Sequence, residues 1–187
     1  FKKRLIVNSG ISTYEKNSQR ELERGTSTHN TVQLDKKNSS QVWGGFRVGN
    51  RAKPFGINVC RKKDEIIIKA SHDGYATIFN KLIHTRIWII KKKNLEISDY
   101  VEGMFKNGIS RVYFHPNVKV NKSQNELFLL IKKNKKEKIK INIKDKIFKN
   151  NFWKPTFGVK QKNILLEQKL IKNFKNKAQN KFILEWN

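Results

Sequence analysis

Several residue types are scarce in this chain, and each scarcity removes a class of chemistry. Among 187 residues there are one cysteine, one methionine and three prolines, and 15 acidic side chains stand against 41 lysines and arginines. A single cysteine, Cys60, excludes an intrachain disulfide and a thiolate zinc cluster, so any metal site must draw on His, Asp, Glu or Asn. The alternation of Ile57-Asn58-Val59-Cys60-Arg61 reads Cys60 as a small core residue. No apolar run approaches the ~18 residues of a membrane-spanning helix, and no basic-then-apolar leader opens the chain. Helical stripes and fixed-period repeats are missing as well. The start at Phe1, with Arg4-Leu5-Ile6-Val7 already strand-like, predicts a piece of a longer protein. At this length one domain is expected, residues 1–187.

What the chain has in excess is positive charge, a formal net of +26. Such a balance suits nucleic acid, whose phosphates release counterions when lysines and arginines neutralise them. Nucleic-acid readers, however, interleave basic and aromatic residues on one exposed surface, whereas the aromatics here fall mostly in core-like apolar runs. No nucleic-acid partner is therefore expected. The excess is mostly lysine, spread through strands and turns with abundant Asn and Ile. AT-rich codon usage produces that pattern, and an acidic polysaccharide would also welcome it.

Short β-branched and apolar runs, separated by turns rich in Gly, Asn, Asp and Lys, fill the sequence. Residues 2–8 form the first. Residues 42–51 read as a strand in which Gly44 and Gly45 mark a bulge, and Lys53-Pro54-Phe55-Gly56 breaks it. Residues 57–62 and 65–72 make a hairpin across Lys63-Asp64, and Ile66-Ile67-Ile68 predicts a strand buried on both faces. Residues 83–91, 95–99, 111–115, 126–132, 164–168 and 182–186 continue the series, and 173–180 reads as a polar turn. The clearest alternation is at 139–144, where Ile139, Ile141 and Ile143 face one way and Lys140, Asn142 and Lys144 the other. The expected fold is all-β, an antiparallel two-layer β-sandwich.

Chemically useful side chains crowd into Arg24-Gly25-Thr26-Ser27-Thr28-His29-Asn30-Thr31-Val32-Gln33-Leu34-Asp35. As a strand from His29 on, this stretch puts His29, Thr31 and Gln33 on one face and Asn30, Val32 and Leu34 on the core face. Two readings stand for His29: a metal ligand or polar anchor, and a side chain that merely satisfies backbone groups at a strand start. The polar segment before it, about twenty residues carrying Tyr14, Arg20 and Arg24, exceeds an ordinary connection and points to function. Arg20, Arg24, Arg47 and Arg51 suit an anionic ligand better than the lysines do, because a guanidinium binds a carboxylate or sulfate bidentately. His72 before Asp73-Gly74 reads as a turn-stabilising residue. His84 and Arg86 read as a surface pair ahead of a pair facing a saccharide, and His115 before Pro116 as structural. No Gly-rich phosphate loop, Ser-His-Asp arrangement or paired-carboxylate site stands out.

The run Leu5-Ile6-Val7-Asn8-Ser9-Gly10, followed by Thr13-Tyr14, Arg20, Arg24, Thr26 and His29-Asn30-Thr31, resembles the C-terminal region of the heparinase II/III-like polysaccharide lyases. Members of that family carry a strand ending in Asp-Ser-Gly, then a Tyr, an Arg-x-Thr and an Ala-His-Asn-Thr. Trp43-Gly44-Gly45-Phe46, Ser71-His72-Asp73-Gly74-Tyr75, His84-Thr85-Arg86, Ile97-Ser98-Asp99, Phe114-His115-Pro116 and Trp153-Lys154-Pro155-Thr156-Phe157-Gly158 look like later landmarks of the same domain. The resemblance implies the β-sandwich of a larger protein whose N-terminal helical toroid holds the catalytic Tyr and most other catalytic groups. The implied activity is β-elimination on a uronate-containing acidic polysaccharide, in the cell envelope or periplasm. Tyr14, Arg20, Arg24, His29, Asn30 and Arg47 would then face substrate or the groove against the N-terminal domain. The resemblance further implies a structural zinc or other divalent metal, held by an upstream His, the Asp of Asp-Ser-Gly and a later His. His29 matches the later His, but Asn8 stands where the family has Asp, and an amide oxygen is a poor zinc ligand beside a carboxylate. On the residues alone, a non-catalytic sandwich that supports or binds carbohydrate remains the rival reading, with nucleic-acid binding behind it.

Overall fold

Alternating sequence becomes strand where one face can be buried, and a computed structural model shows where that happens for residues 4–79, 81–121, 126–132, 135–141, 146–173 and 177–186. A short helix α1 (Ser18–Arg24) comes first, followed by strands β1 (Val32–Leu34), β2 (Gln41–Trp43), β3 (Arg47–Gly49), β4 (Pro54–Arg61), β5 (Glu65–His72), β6 (Ile83–Lys91) and β7 (Asn94–Glu102). The second half supplies β8 (Gly108–Tyr113), β9 (Val118–Asn121), β10 (Glu126–Lys132), β11 (Lys135–Ile141), β12 (Lys146–Trp153), β13 (Gln161–Lys169), β14 (Ile171–Lys172) and β15 (Lys177–Trp186). Among the described residues these strands build two principal layers. The larger sheet runs β4-β5-β6-β7-β15-β11-β10-β9 with β14 beside β15, and the smaller runs β1-β8-β13-β12. The pairings are antiparallel, as the hairpin turns require.

The core lies between the layers. Val112, Phe114 and Leu166 from the side of the smaller sheet meet Ile139, Ile141, Phe182 and Leu184 from the larger. A second cluster joins Val32 and Leu34 of β1 to Tyr75, Leu82, Val101, Phe105 and Leu170. Burying each large side chain contributes about 1.5–3 kcal/mol, so these two clusters carry the sandwich. Tyr75 is fully buried and its hydroxyl donates to the Val32 carbonyl at 2.9 Å, which ties the loop after β5 to β1.

The all-β sandwich matches the sequence expectation, and so does the alternation at β11: Ile139 and Ile141 are buried while Lys140 is exposed. Residues 142–144 and the lysine side chains between 132 and 138 lie outside what is described. Other expectations need correction. β4 is the outermost strand of the larger sheet and every residue in it is exposed, so Cys60 is no core residue. Ile66, Ile67 and Ile68 of β5, beside that edge, are half-buried rather than buried on both faces. Pro54 begins β4 instead of breaking it, as an edge strand tolerates, and Gly56 (φ +60°) sits where the register with β5 shifts. Residues 42–51 form not one strand but the hairpin β2–β3, turned at Gly44 and Gly45. Residues 146–153 form a strand paired along its length with β13.

The N-terminal stretch is extended but is not a strand. It touches β8 through an Ile6–Phe114 bridge and a Val7 N–H to Tyr113 carbonyl bond of 2.9 Å. The polar segment after it folds into α1, where the Asn17 side chain caps the helix by accepting from the Arg20 N–H at 2.9 Å. A 3-10 turn at Thr26–Thr28 follows, so the strand begins at Val32 rather than His29. β1 is buried on both sides, and Gln33 accepts from Arg111 Nη1 at 2.9 Å instead of facing solvent. Among the described residues no helix is long and apolar enough to cross a membrane.

Candidate functional site

The side chains expected to matter gather where the N-terminal stretch, the 3-10 turn and the end of β8 meet. His29 Nδ1 lies 3.0 Å from Asn8 Oδ1 and donates to it. Asn30 acts as a strand substitute: its amide donates to the Val7 carbonyl at 2.9 Å and its oxygen accepts from the Tyr113 N–H at 2.7 Å. The Tyr113 hydroxyl in turn donates to the Ser27 carbonyl. Gly10, at φ +86°, passes so close to Lys154 that a Cβ would drive into its carbonyl oxygen, which explains the glycine in Asn8-Ser9-Gly10. Beside it, Glu23 accepts from Lys154 Nζ at 2.5 Å, from Gln19 at 2.8 Å and from both the backbone and the hydroxyl of Ser12. Burial alone would raise the Glu23 carboxyl, but these donors, Lys154 foremost, bring it down to about 2. Burial pushes the His29 imidazole below its ordinary value, against a smaller raising pull from the backbone of Arg24. A neutral imidazole fixed through one nitrogen is equipped to hold a hydroxyl or accept a proton.

The arginines fall into two roles. Arg24 donates to the Phe46 and Arg47 carbonyls at 2.9 and 3.0 Å, and Arg20 donates to the Gly45 carbonyl at 3.2 Å. Together with Glu21, which accepts from the Gly44 N–H at 3.2 Å, they seat the β2–β3 hairpin on α1. Arg20 is buried with its guanidinium 5.2 Å from the Tyr14 ring centre and 5.6 Å from that of Phe46. Tyr14 stacks on Phe157 at 6.2 Å and 15°. The result is a row of Phe157, Tyr14, Arg20 and Phe46 whose three aromatic rings are each more than half exposed. Trp43 and Arg47 pair across the hairpin next to that row, and Arg47 keeps its side chain exposed. The structure thus brings Tyr14, Arg20, Arg24 and Arg47 around one hairpin, and His29, Asn30 and Asn8 around another junction that α1 and the 3-10 turn connect. Sequence reasoning missed Phe46 and Phe157 as parts of the row and Trp43 beside it; the signal was their place in the Trp-Gly-Gly-Phe and Trp-Lys-Pro-Thr-Phe motifs.

His84 and Arg86 are not a surface pair. They sit on the inner face of β6 against Asp99 of β7, and His84 and Asp99 are almost fully buried. Asp99 accepts from His84 Nε2 at 2.7 Å, from Arg86 Nε at 2.6 Å and Nη2 at 3.0 Å, and from Ser110 at 3.0 Å. The chain of donors continues outward: Gly74 N–H to His72 Nδ1 at 3.2 Å, then His72 Nε2 to His84 Nδ1 at 2.9 Å. His72 therefore does stabilise its turn. Burial pulls the Asp99 carboxyl up, and Arg86 and His84 overcome that pull and hold it well below the ordinary carboxylate range. Burial, with His84 and Arg86 adding to it, brings His72 down to about 4. Arg86 Nη1 also donates to the Asn30 carbonyl at 2.5 Å, which joins this buried network to the His29 junction.

As for a metal, His29 and Asn8 supply one imidazole and one amide already hydrogen-bonded to each other. Among the described residues no group of three His, Cys, Asp or Glu converges. These residues do not fit a zinc site by themselves, and no chemical step is routed through one.

The architecture defines a class: an antiparallel two-layer sandwich whose polar and aromatic groups gather on the loops at one end. The family follows from comparison. The family model for the Heparinase II/III-like C-terminal region matches residues 2–180, and the chain belongs to that family, as its motifs predicted. Among solved structures, a heparan sulfate lyase HepC mutant from Pedobacter heparinus superposes with a TM-score of 0.70 at 16% identity, covering 98% of this chain and 28% of that one. The Heparinase III-BT4657 gene product gives 0.70 at 15% identity, again with 98% and 28% covered. The chain thus spans little more than a quarter of the length of these relatives, and the likeness is one of fold. No curated protein matches.

Proposed function

We propose that this chain is the C-terminal β-domain, residues 1–187, of a polysaccharide lyase that cleaves uronate-containing acidic polysaccharide by β-elimination. The observation that carries the reading is the family match over residues 2–180 in a chain spanning 28% of the matched lyases. In β-elimination a base takes the proton beside the uronate carboxylate, the electron pair forms a carbon–carbon double bond, and the glycosidic oxygen at the next carbon leaves with a proton from an acid. The base and acid belong to the rest of the protein. This chain supplies a wall of the substrate groove: the exposed rings of Tyr14, Phe46 and Phe157 for sugar faces, Arg47 for a carboxylate, and His29 at the groove edge. Arg20, Arg24 and Asn30 hold that wall in shape through backbone carbonyls.

In the full-length enzyme His29→Ala is expected to lower lyase activity at least about tenfold, roughly 1.4 kcal/mol of transition-state stabilisation, with the circular dichroism spectrum unchanged. The isolated chain is expected to show no turnover when absorbance of the unsaturated product is followed on several uronate polymers. Turnover by the chain alone, or full activity after His29→Ala, overturns the assignment of roles.

A further inference from the structure

At the end of β1 away from His29 the chain makes a strained turn. Asp35 and Lys36 lie at φ +44° and +59°, a left-handed conformation that non-glycine residues adopt at a cost of about 1–2 kcal/mol each. The turn is held by the Asp35 N–H to the Asn107 carbonyl at 2.8 Å and the Lys37 N–H to the Leu34 carbonyl at 2.8 Å. The Asp35 carboxylate accepts from the backbone N–H groups of Lys106 and Asn107. The turn borders a cleft of ≈ 550 Å³ whose lining includes Phe79, Phe105 and Leu170 together with Lys36, Lys37, Lys106, Lys169 and Lys172. Lys172 is committed: it lies over the Phe105 ring and donates to the Phe105 carbonyl. Lys36, Lys37, Lys106 and Lys169 are exposed, and among the described residues none of them has an ion-pair partner.

We propose that this cleft is a second binding site, for a sulfated or carboxylated saccharide segment. Its volume falls within the range of small-ligand sites, its floor is apolar and aromatic, and four free amines surround it while the one carboxylate in the lining is spent on backbone. β8 runs from Gly108 at this cleft to Tyr113 at the His29 junction, so the two sites lie at opposite ends of a six-residue strand, roughly 17 Å apart. An acidic polymer held in the groove could therefore be gripped again here. The proposal rests on the lyase reading only for the identity of the ligand.

The test is a titration of the full-length protein with a carboxyl-reduced heparin octasaccharide, which keeps its sulfates but cannot undergo β-elimination because the proton beside the former carboxylate is no longer acidic. Lys37→Gln, Lys106→Gln and Lys169→Gln combined are expected to weaken binding about tenfold. The same charge removed at Lys63, Lys69 and Lys162 is expected to change it less than about twofold. Equal losses from the two triple variants would mean that net charge alone binds the saccharide, and the cleft would be no site. Tighter binding of single-stranded DNA of equal charge, lost with the first triple variant, would also overturn the proposal. A wild-type protein that turns over no uronate polymer would instead fail the lyase reading, and the binding result would stand apart from it.

Discussion

Two regions of this chain concentrate charge and treat it in opposite ways. Around Asp99 each charge is consumed: four donors from His84, Arg86 and Ser110 converge on one buried carboxylate, and the remaining Arg86 nitrogen reaches the Asn30 carbonyl. Around the turn at Asp35 the charge is left over, since the carboxylate binds backbone and the lysines face the cleft. The difference shows where to look for ligands in a protein of net charge +26. A closed network fixes the register of β6 on β7 and of β8 beside them, and it has nothing to offer a ligand. An open one contributes little to stability and keeps its interaction capacity for something outside.

The sharpest way to break this contrast is Asp99→Ala, which leaves Arg86 buried without its counter-ion. It is expected to lower stability by about 3–5 kcal/mol in urea unfolding. A loss below about 1 kcal/mol would put the network in the same class as the surface lysines.

Acid should dissolve the consumed charges in two stages. His72 has its folded value lowered to about 4, so the unfolded chain takes up a proton first. Stability is full above about 6.5 and falls as the pH drops to about 4, by on the order of 3 kcal/mol. Glu23, lowered to about 2, contributes stability above its ordinary value near 4.5 and loses it as the pH falls toward 2, by a similar amount. His72→Gln should flatten the upper limb of a stability-against-pH curve and Glu23→Gln the lower one. Curves unchanged by both would show that these two groups do not set acid sensitivity.

The smallest effect belongs to the lysines. Replacing Lys37, Lys106 and Lys169 by Gln should change stability by no more than about 0.5 kcal/mol each, in the stabilising direction at low salt as mutual repulsion is relieved. A clear destabilisation would mean that these amines serve the fold, and the contrast with Asp99 would collapse.

Much of the sandwich was legible because its hairpins are local. β6 and β7 pair without a break in register around Lys92-Lys93, and β4 and β5 pair around Lys63-Asp64 as far as the shift at Gly56. The same hairpin held a signal that was passed over: Arg86 and Asp99 are equally far from the Lys92-Lys93 turn, which places them directly opposite each other. Opposite charges at a paired position on the inner face are a buried ion pair, yet the polar residues themselves suggested a surface. Helix α1 was not legible, since seven residues show no apolar stripe and their stability comes from the Asn17 cap and from the bonds of Arg20, Glu21 and Arg24 to a distant hairpin. The exposure of Cys60 was hidden for another reason. Alternation records that a strand has two different faces, and only the extent of the opposing sheet decides whether either is covered.

The outer position of β4 has a practical consequence for anyone handling this chain. Its free side presents backbone N–H and C=O groups to which a second copy can add a strand, and Phe55, Ile57 and Val59 make that contact adhesive. Pro54 removes one donor, the register shift at Gly56 interrupts the first part of the strand, and Arg61-Lys62-Lys63 at its far end repel a like-charged neighbour. The unguarded length is therefore the short stretch Ile57-Asn58-Val59-Cys60, and it includes the chain's one thiol. Concentrated preparations should be kept reduced and at low ionic strength, where the lysine repulsion that holds copies apart is least screened.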